Sequence, residues 1–255
     1  MVLAALVNMV APAARIAPSR VASQRVAQAL RVPAFRPRVA FHAARTVSAK
    51  YASEKKGARL HVVCFCCLTA SSWRDDELAP AAAAQFGDGV DIKYIWNIMD
   101  FGYRADEILW LTECGILTMS YQSTAYLTDR VPELGFVDLP FLFPNLDHAR
   151  AAFDGDLGRY LDTCIEREYN YRMLGYFENG FRHISNKERA IHLPEDLDGL
   201  KIRMLPSDTH VRTFDLLGAV PLRMDLTEAI EGVIDGSLDA QENPLANTVT
   251  YGLHK

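Results

Sequence analysis

The chain has 255 residues, 49% of them hydrophobic and 23% charged, with a formal net charge of −5. This is enough for one large domain or two small ones with real cores, and no apolar run approaches the ~20 residues of a membrane span. Residues 1–50 carry seven Arg, one Lys and no acid, a charge of +8, so residues 51–255 carry −13; an acidic body argues against nucleic acid as a partner, which calls for a basic face.

Residues 1–58 stand apart in composition: rich in Ala, Val, Arg and Ser, with prolines at 12, 18, 33 and 37. An Arg-rich, acid-free, Ser-containing stretch resembles an organelle transit peptide. Two rivals are a secretory signal, with Leu3–Val10 apolar and Ala11-Pro12-Ala13 as its cleavage site, and upstream sequence read from a misplaced start. The segment is therefore set aside as targeting-like or disordered.

From Arg59 onward, strand-like and helix-like runs alternate. Leu60–Cys67 reads as a buried strand, and Ser71 or Ser72 as the cap of a helix with Asp75, Asp76 and Glu77 in its first turn. Val90, Ile92, Tyr94 and Trp96 alternate with Asp91 and Lys93, as in a strand. Ala105, Ile108, Leu109 and Thr112 recur at helical spacing up to Gly115. Leu117–Tyr121 is the next strand, Asn145–Phe153 a helix stopped at Gly155, and Arg172–Phe177 a strand. A turn follows from Pro194 to Gly199, then a strand at Lys201–Leu205. Ser207 caps a helix ending at Gly218, Thr227 caps one ending at Gly236, and Leu238–Ala240 is a short strand. This βαβα rhythm implies mostly parallel sheets covered by helices, whose ligands sit beyond the carboxyl ends of strands or between lobes.

Catalytic signatures are missing. There is no Gly-rich phosphate loop, no G-x-S-x-G elbow, no H-E-x-x-H and no EF-hand loop. The paired acids Asp75–Asp76 and Glu195–Asp196 sit at helix starts, where capping and the helix dipole account for them. Five cysteines, Cys64, Cys66, Cys67, Cys114 and Cys164, cannot all pair, and Cys-x-Cys-Cys is not a common zinc spacing. Small side chains on a buried strand explain the first three better than a thiol or metal site. No cofactor is expected.

Three stretches carry more information. The first is Val131-Pro132-Glu133-Leu134-Gly135-Phe136-Val137-Asp138-Leu139-Pro140-Phe141-Leu142-Phe143. The second is Gly180-Phe181-Arg182-His183-Ile184-Ser185-Asn186-Lys187, leading into Pro194-Glu195-Asp196-Leu197-Asp198-Gly199-Leu200-Lys201-Ile202-Arg203. The third is Asp239-Ala240-Gln241-Glu242-Asn243-Pro244-Leu245. With Gly218-Ala219, Pro221, Met224 and Glu228 between the last two, residues 59–255 resemble the DctP-type substrate-binding proteins of TRAP transporters. The resemblance implies an α/β, two-lobed periplasmic-binding-protein-like fold (type II), with residues 59–178 as the first lobe and 179–255 as a partial second. It implies a small organic acid as ligand, the membrane permease subunits of a TRAP transporter as partners, and a periplasmic location. The atypical N-terminus keeps an organellar location open. Family members continue with further strands and helices beyond the Asn243 motif, so the fold is expected to be incomplete at the C-terminal end.

Six residues are candidates for the ligand site. Arg203, in a strand between Ile202 and Met204, needs an anion, because an unpaired buried charge is costly. Its planar fork suits a carboxylate, and it falls where the family places its main clamp. The alternative is an internal salt bridge to Asp208 or Glu242. Arg182 matches a second ligand-facing Arg of the family, or is a solvated loop residue. Asn243, before Pro244, reads as a helix N-cap and matches a family Asn. Tyr121 and Gln122 follow a strand where the family lines its cleft, and Trp73 covers an apolar part of the ligand or belongs to a core helix. Capture of an anion for transport is the leading reading; an enzyme or sensor reusing the fold on a keto or hydroxy acid, or a non-functional fragment, are the alternatives.

Overall fold

A computed structural model describes residues 2–8, 58–63, 90–95 and 97–254. Trp73, Cys64, Cys66, Cys67 and the helix expected after Ser71 lie outside the described residues. Two sheets organise the rest. The first has five strands in the order β3-β2-β4-β1-β5, with β1 at Val2–Asn8, β2 at Ala58–Val63, β3 at Val90–Ile95, β4 at Met119–Ser123 and β5 at Tyr171–Glu178. The second has four in the order β6-β9-β7-β8: β6 Arg182–Asn186, β7 Lys201–Met204, β8 Val220–Arg223 and β9 Ala240–Pro244. The helices are α1 Glu107–Glu113, α2 Leu146–Asp154, α3 Asp156–Glu168, α4 Asp208–Leu216, α5 Leu226–Ile234 and α6 Leu245–Thr250.

The sheets are mixed rather than mostly parallel. β2 runs parallel to β3 and β4, but β1 lies between β4 and β5, antiparallel to both. In the second sheet β7 is parallel to β8 and β9, while β6 is antiparallel to β9. The apolar run Val2–Val7, part of a segment to which no structure was assigned from sequence, thus supplies a central strand.

Several boundaries move for local reasons. The amides of Ile116 and Leu117 both bond back to the Leu111 carbonyl, closing the end of α1, so β4 begins two residues later than expected. Leu238 similarly donates to the Gly232 carbonyl at the end of α5, and β9 starts at Ala240. The cap of α5 is Asp225 instead of Thr227. Its carboxylate accepts from the Thr227 amide while Glu228 accepts from the Asp225 amide, a reciprocal capping box. Helix α3 escaped the sequence reading although Leu157, Leu161, Cys164 and Ile165 follow helical spacing. Gly158 is needed in its first turn: a Cβ there would lie 1.8 Å from the Phe153 carbonyl oxygen at the end of α2. β8 carries Pro221, which is tolerated because β8 is an edge strand.

Each sheet has its own core. Ile95, Ile98, Ile108, Leu111, Leu127, Leu134, Leu161, Ile165 and Tyr171 are buried in the first, and Leu197, Leu200, Ile202, Met204, Ala219 and Ala240 in the second. Each large aliphatic side chain removed from water contributes about 1.5–3 kcal/mol. The cores meet at a seam, where Leu226 and Ile230 of α5 join the first core. Polar contacts cross it: Arg104 Nη1 to Glu228 Oε1 (2.6 Å), Thr128 Oγ1 to the Pro206 carbonyl (2.9 Å), and Arg223 to Asp129 (2.5 Å).

Candidate functional site

Strand β7 ends at Met204 and α4 begins four residues later, so the site residues cluster at the carboxyl end of a parallel strand, where α/β sheets bind ligands. The register pairs Arg203 with Gln241 on β9 and with Leu222 on β8. Register partners share a face, so Arg203, Gln241 and, two residues on, Asn243 project from one side of the second sheet.

Arg203 is 1% exposed and is the largest fully buried side chain among the described residues. Its Nε donates to the Met224 carbonyl at 3.1 Å. Its Nη2 has no hydrogen-bond partner among the described residues. The expected alternative, a salt bridge to Asp208 or Glu242, does not occur: Asp208 pairs with Arg223 and Glu242 with Arg182. A buried guanidinium without a carboxylate is a costly arrangement in an empty protein.

Arg182 is neither solvated nor in a loop. It lies on β6, its side chain 10% exposed, and forms a two-pronged ion pair with Glu242, itself 4% exposed, through Nε and through Nη2 at 2.7 Å from Oε1. The same Nη2 donates to the Glu242 carbonyl and to Asn243 Oδ1, the latter at 3.3 Å. Asn243 is not a helix cap: it belongs to β9, Pro244 is the cap of α6, and Asn243 Nδ2 donates to Gln241 Oε1 at 2.6 Å. Gln241 in turn donates to Ser185 Oγ at 2.5 Å. Arg182, Glu242, Asn243, Gln241 and Ser185 thus form one connected polar network on β6 and β9, of which Gln241 is the register partner of Arg203.

Tyr121 and Gln122 lie on β4, in the other sheet. Gln122 is wholly buried, its amide nitrogen donating to the Ala105 carbonyl at 2.6 Å and its oxygen accepting from the Ser123 amide at 2.8 Å. Tyr121 is 4% exposed. Three residues that sequence reading missed sit between the sheets. Tyr126, in the turn Thr124–Leu127 after β4, places its hydroxyl 3.4 Å from Asp225 Oδ2. Asp225 is buried and also accepts from the Ala105 amide. Ser207, the cap of α4, is fully buried with Oγ unpartnered among the described residues. The D-x-x-E signature Asp225–Glu228 was readable; Tyr126 had no local signal.

Across the same seam, His210 Nε2 on α4 stands 3.6 Å from Asp138 Oδ1 on the turn Pro132–Asp138. Burial holds the imidazole below its ordinary value, opposed by Asp138 and Glu242 and aided by Arg182. A lowered folded value means the unfolded chain binds this proton more tightly. The His210 contribution to stability is therefore complete above the ordinary histidine range, about pH 6.5, and is lost as pH falls through the lowered folded value. Urea unfolding at pH 7.5 and pH 5 should show wild type losing more stability on acidification than His210→Gln; equal losses would remove His210 as the cause.

Among the described residues, no group of three or more His, Cys, Asp or Glu is placed to hold a metal ion, and no helix is long and apolar enough to cross a membrane. The Asp196 carboxylate is an acceptor for the His192 and Leu193 amides, which hold it below the usual carboxylate range.

Two mixed sheets with separate cores and a polar seam define a two-lobed α/β protein of the periplasmic-binding-protein type II class. The chain belongs to the family of bacterial extracellular solute-binding proteins, family 7 (DctP), whose model matches residues 103–255, more than half of the chain. It is 33% identical over 131 residues to the 2,3-diketo-L-gulonate-binding periplasmic protein YiaO of Escherichia coli, covering 51% of this chain and 40% of that one. In structure it is similar to the sugar acid binding protein DctPAm of Advenella mimigardefordensis in complex with galactonate. There the TM-score is 0.67, with 26% identity, 79% of this chain and 64% of that one. It is also similar to a TRAP periplasmic solute binding protein of Sulfurospirillum deleyianum with bound succinate (TM-score 0.70, 25% identity, 78% and 64%). The chain spans about 40% of the length of the curated relative and under two thirds of either solved structure.

Proposed function

We propose that this protein captures a small organic acid in the seam between its two lobes, residues 59–178 and 179–255, and delivers it to a membrane permease of the TRAP type from the periplasmic side. The observation that carries the reading is Arg203, buried and without an ion-pair partner among the described residues, with Nη2 uncommitted at the carboxyl end of β7. A carboxylate there would supply the missing counter-charge through charge-assisted hydrogen bonds. The Asn243 side chain and the Arg182–Glu242 pair border the same strands, so they are proposed as the polar wall that meets the rest of the ligand. Tyr121 and Gln122 are proposed as part of the opposite wall, Gln122 holding the backbone at Ala105 and Ser123. The relatives named above bind 2,3-diketogulonate, galactonate and succinate, all carboxylates, which supports an organic acid as the class of ligand.

A thermal-shift screen with galactonate, succinate and related acids tests this. A ligand at a hundred times its Kd stabilises the native state by about 2.7 kcal/mol, which raises the Tm of a chain this size by about 5–10 °C. No shift with any carboxylate would overturn the reading.

A further inference from the structure

Arg203 is 1% exposed, so a carboxylate reaches its Nη2 only when the seam between the two sheets opens. Two ion pairs that cross this seam flank the support of the clamp in sequence. The Arg203 Nε bond ends on the Met224 carbonyl. One residue before Met224, Arg223 donates from Nη2 across the seam to Asp129 Oδ1 at 2.5 Å. Four residues after it, Glu228 Oε1 accepts across the seam from Arg104 Nη1 at 2.6 Å.

Three of these four side chains are also fixed on their own side of the seam. Arg223 Nη1 donates to Asp208 Oδ1 at 2.8 Å, and its Nη2 also donates to the Pro206 carbonyl at 3.1 Å, both within the second lobe. Glu228 Oε2 accepts from the Asp225 amide at 3.1 Å, as part of the capping box of α5. On the first lobe, Arg104 Nε donates to Asp106 Oδ1 at 3.3 Å. Opening the seam therefore breaks the two cross-seam bonds and leaves the local ones in place. The side chains stay aimed at their partners, so closing again orders little that is free.

We propose that the pairs Arg223–Asp129 and Arg104–Glu228 form a two-point latch that sets how fast the seam opens over Arg203, and so gates both entry and release of the captured carboxylate. The inference deepens the capture reading and rests on it. Each cross-seam bond runs directly between protein groups, so the latch closes the seam over a bound carboxylate and without one alike. It therefore acts on the two rates more than on their ratio. All four side chains are more than a third exposed. Salt reaches and screens such pairs, the screening length falling from about 10 Å at 0.1 M to about 3 Å at 1 M.

The test is the double variant Asp129→Asn/Arg104→Gln in the full chain, with stopped-flow rates for binding and displacement of galactonate and of succinate. Both changes lie on the first lobe and leave Arg223 and Glu228 on their local bonds. One exposed pair contributes about 1.4- to 5-fold, so release should quicken about 2- to 30-fold. Entry should quicken with it, and Kd should change less than either rate. Raising salt from about 0.05 M to about 0.5 M should quicken release from wild type and hardly alter it in the variant. Merely structural pairs would lower Tm and leave both rates and the salt response as in wild type. If wild type binds either acid and the variant releases it at the wild-type rate, or releases it faster with entry unchanged, the latch is overturned while the capture reading stands. If wild type binds neither acid, both fall. Should the variant fail to fold, the wild-type salt series decides: release that does not respond to salt overturns the latch.

Discussion

Replacing Arg203 with methionine should abolish carboxylate binding while leaving the ligand-free protein as stable as wild type or more so. The first half follows from the bonds lost: each hydrogen bond to a charged group contributes about 1.5–3 kcal/mol. Two of them amount to a hundredfold in affinity or more. The second half separates a binding residue from a structural one. In the empty protein this guanidinium is 1% exposed, has one backbone acceptor and leaves Nη2 unpartnered among the described residues. Its desolvation is a standing cost of several kcal/mol, and an apolar side chain of similar length removes that cost while giving up the charge-assisted Met224 bond, worth about 1.5–3 kcal/mol. Arg203→Lys should rescue little, because an ammonium lacks the planar fork and carries its charge as a point. Calorimetric titration and thermal melts of both variants check this. Undiminished affinity in Arg203→Met would falsify the clamp, and a large drop in its ligand-free Tm would show the residue to be structural.

The contrast between the two arginines marks how far the sequence could be read. Arg203 was legible because its neighbours Ile202 and Met204 are apolar and strand alternation is local information; both are fully buried beneath it. Arg182 was not. Its partner Glu242 lies 60 residues away, on a strand that pairs antiparallel with β6, and nothing in Phe181-Arg182-His183 announces that pairing. Asn243 misled for the opposite reason: Asn-Pro is a genuine local cap signal, but backbone pairing with His183 extends β9 through it. Strand β1 was missed because its apolar run sits in a segment whose composition suggested targeting. Tyr126 illustrates the general limit: its hydroxyl meets Asp225, 99 residues on, across a seam that no single window of sequence contains.

Removing Glu242 should be the most destabilising single change among the site residues. Glu242→Ala strips a buried guanidinium of its carboxylate, the Glu242 carbonyl and Asn243 Oδ1 being uncharged acceptors. Breaking a buried pair from one side costs about 3–5 kcal/mol, because the surviving charge stays desolvated. In a chain of this size the Tm should fall by about 10 °C or more. Glu242→Gln, which keeps an acceptor and loses the charge, should fall between Glu242→Ala and wild type. The double variant Arg182→Met/Glu242→Leu removes both charges and should recover most of the loss, since an apolar pair of similar volume can be as stable as a buried salt bridge. Urea melts of the set measure the coupling directly, and equal stability of Glu242→Ala and wild type would show the pair to be solvated. Because Glu242 already neutralises Arg182, the double variant should also weaken carboxylate binding far less than Arg203→Met does. Two buried arginines then divide the work: one holds the second sheet together, and the other is left in want of an anion.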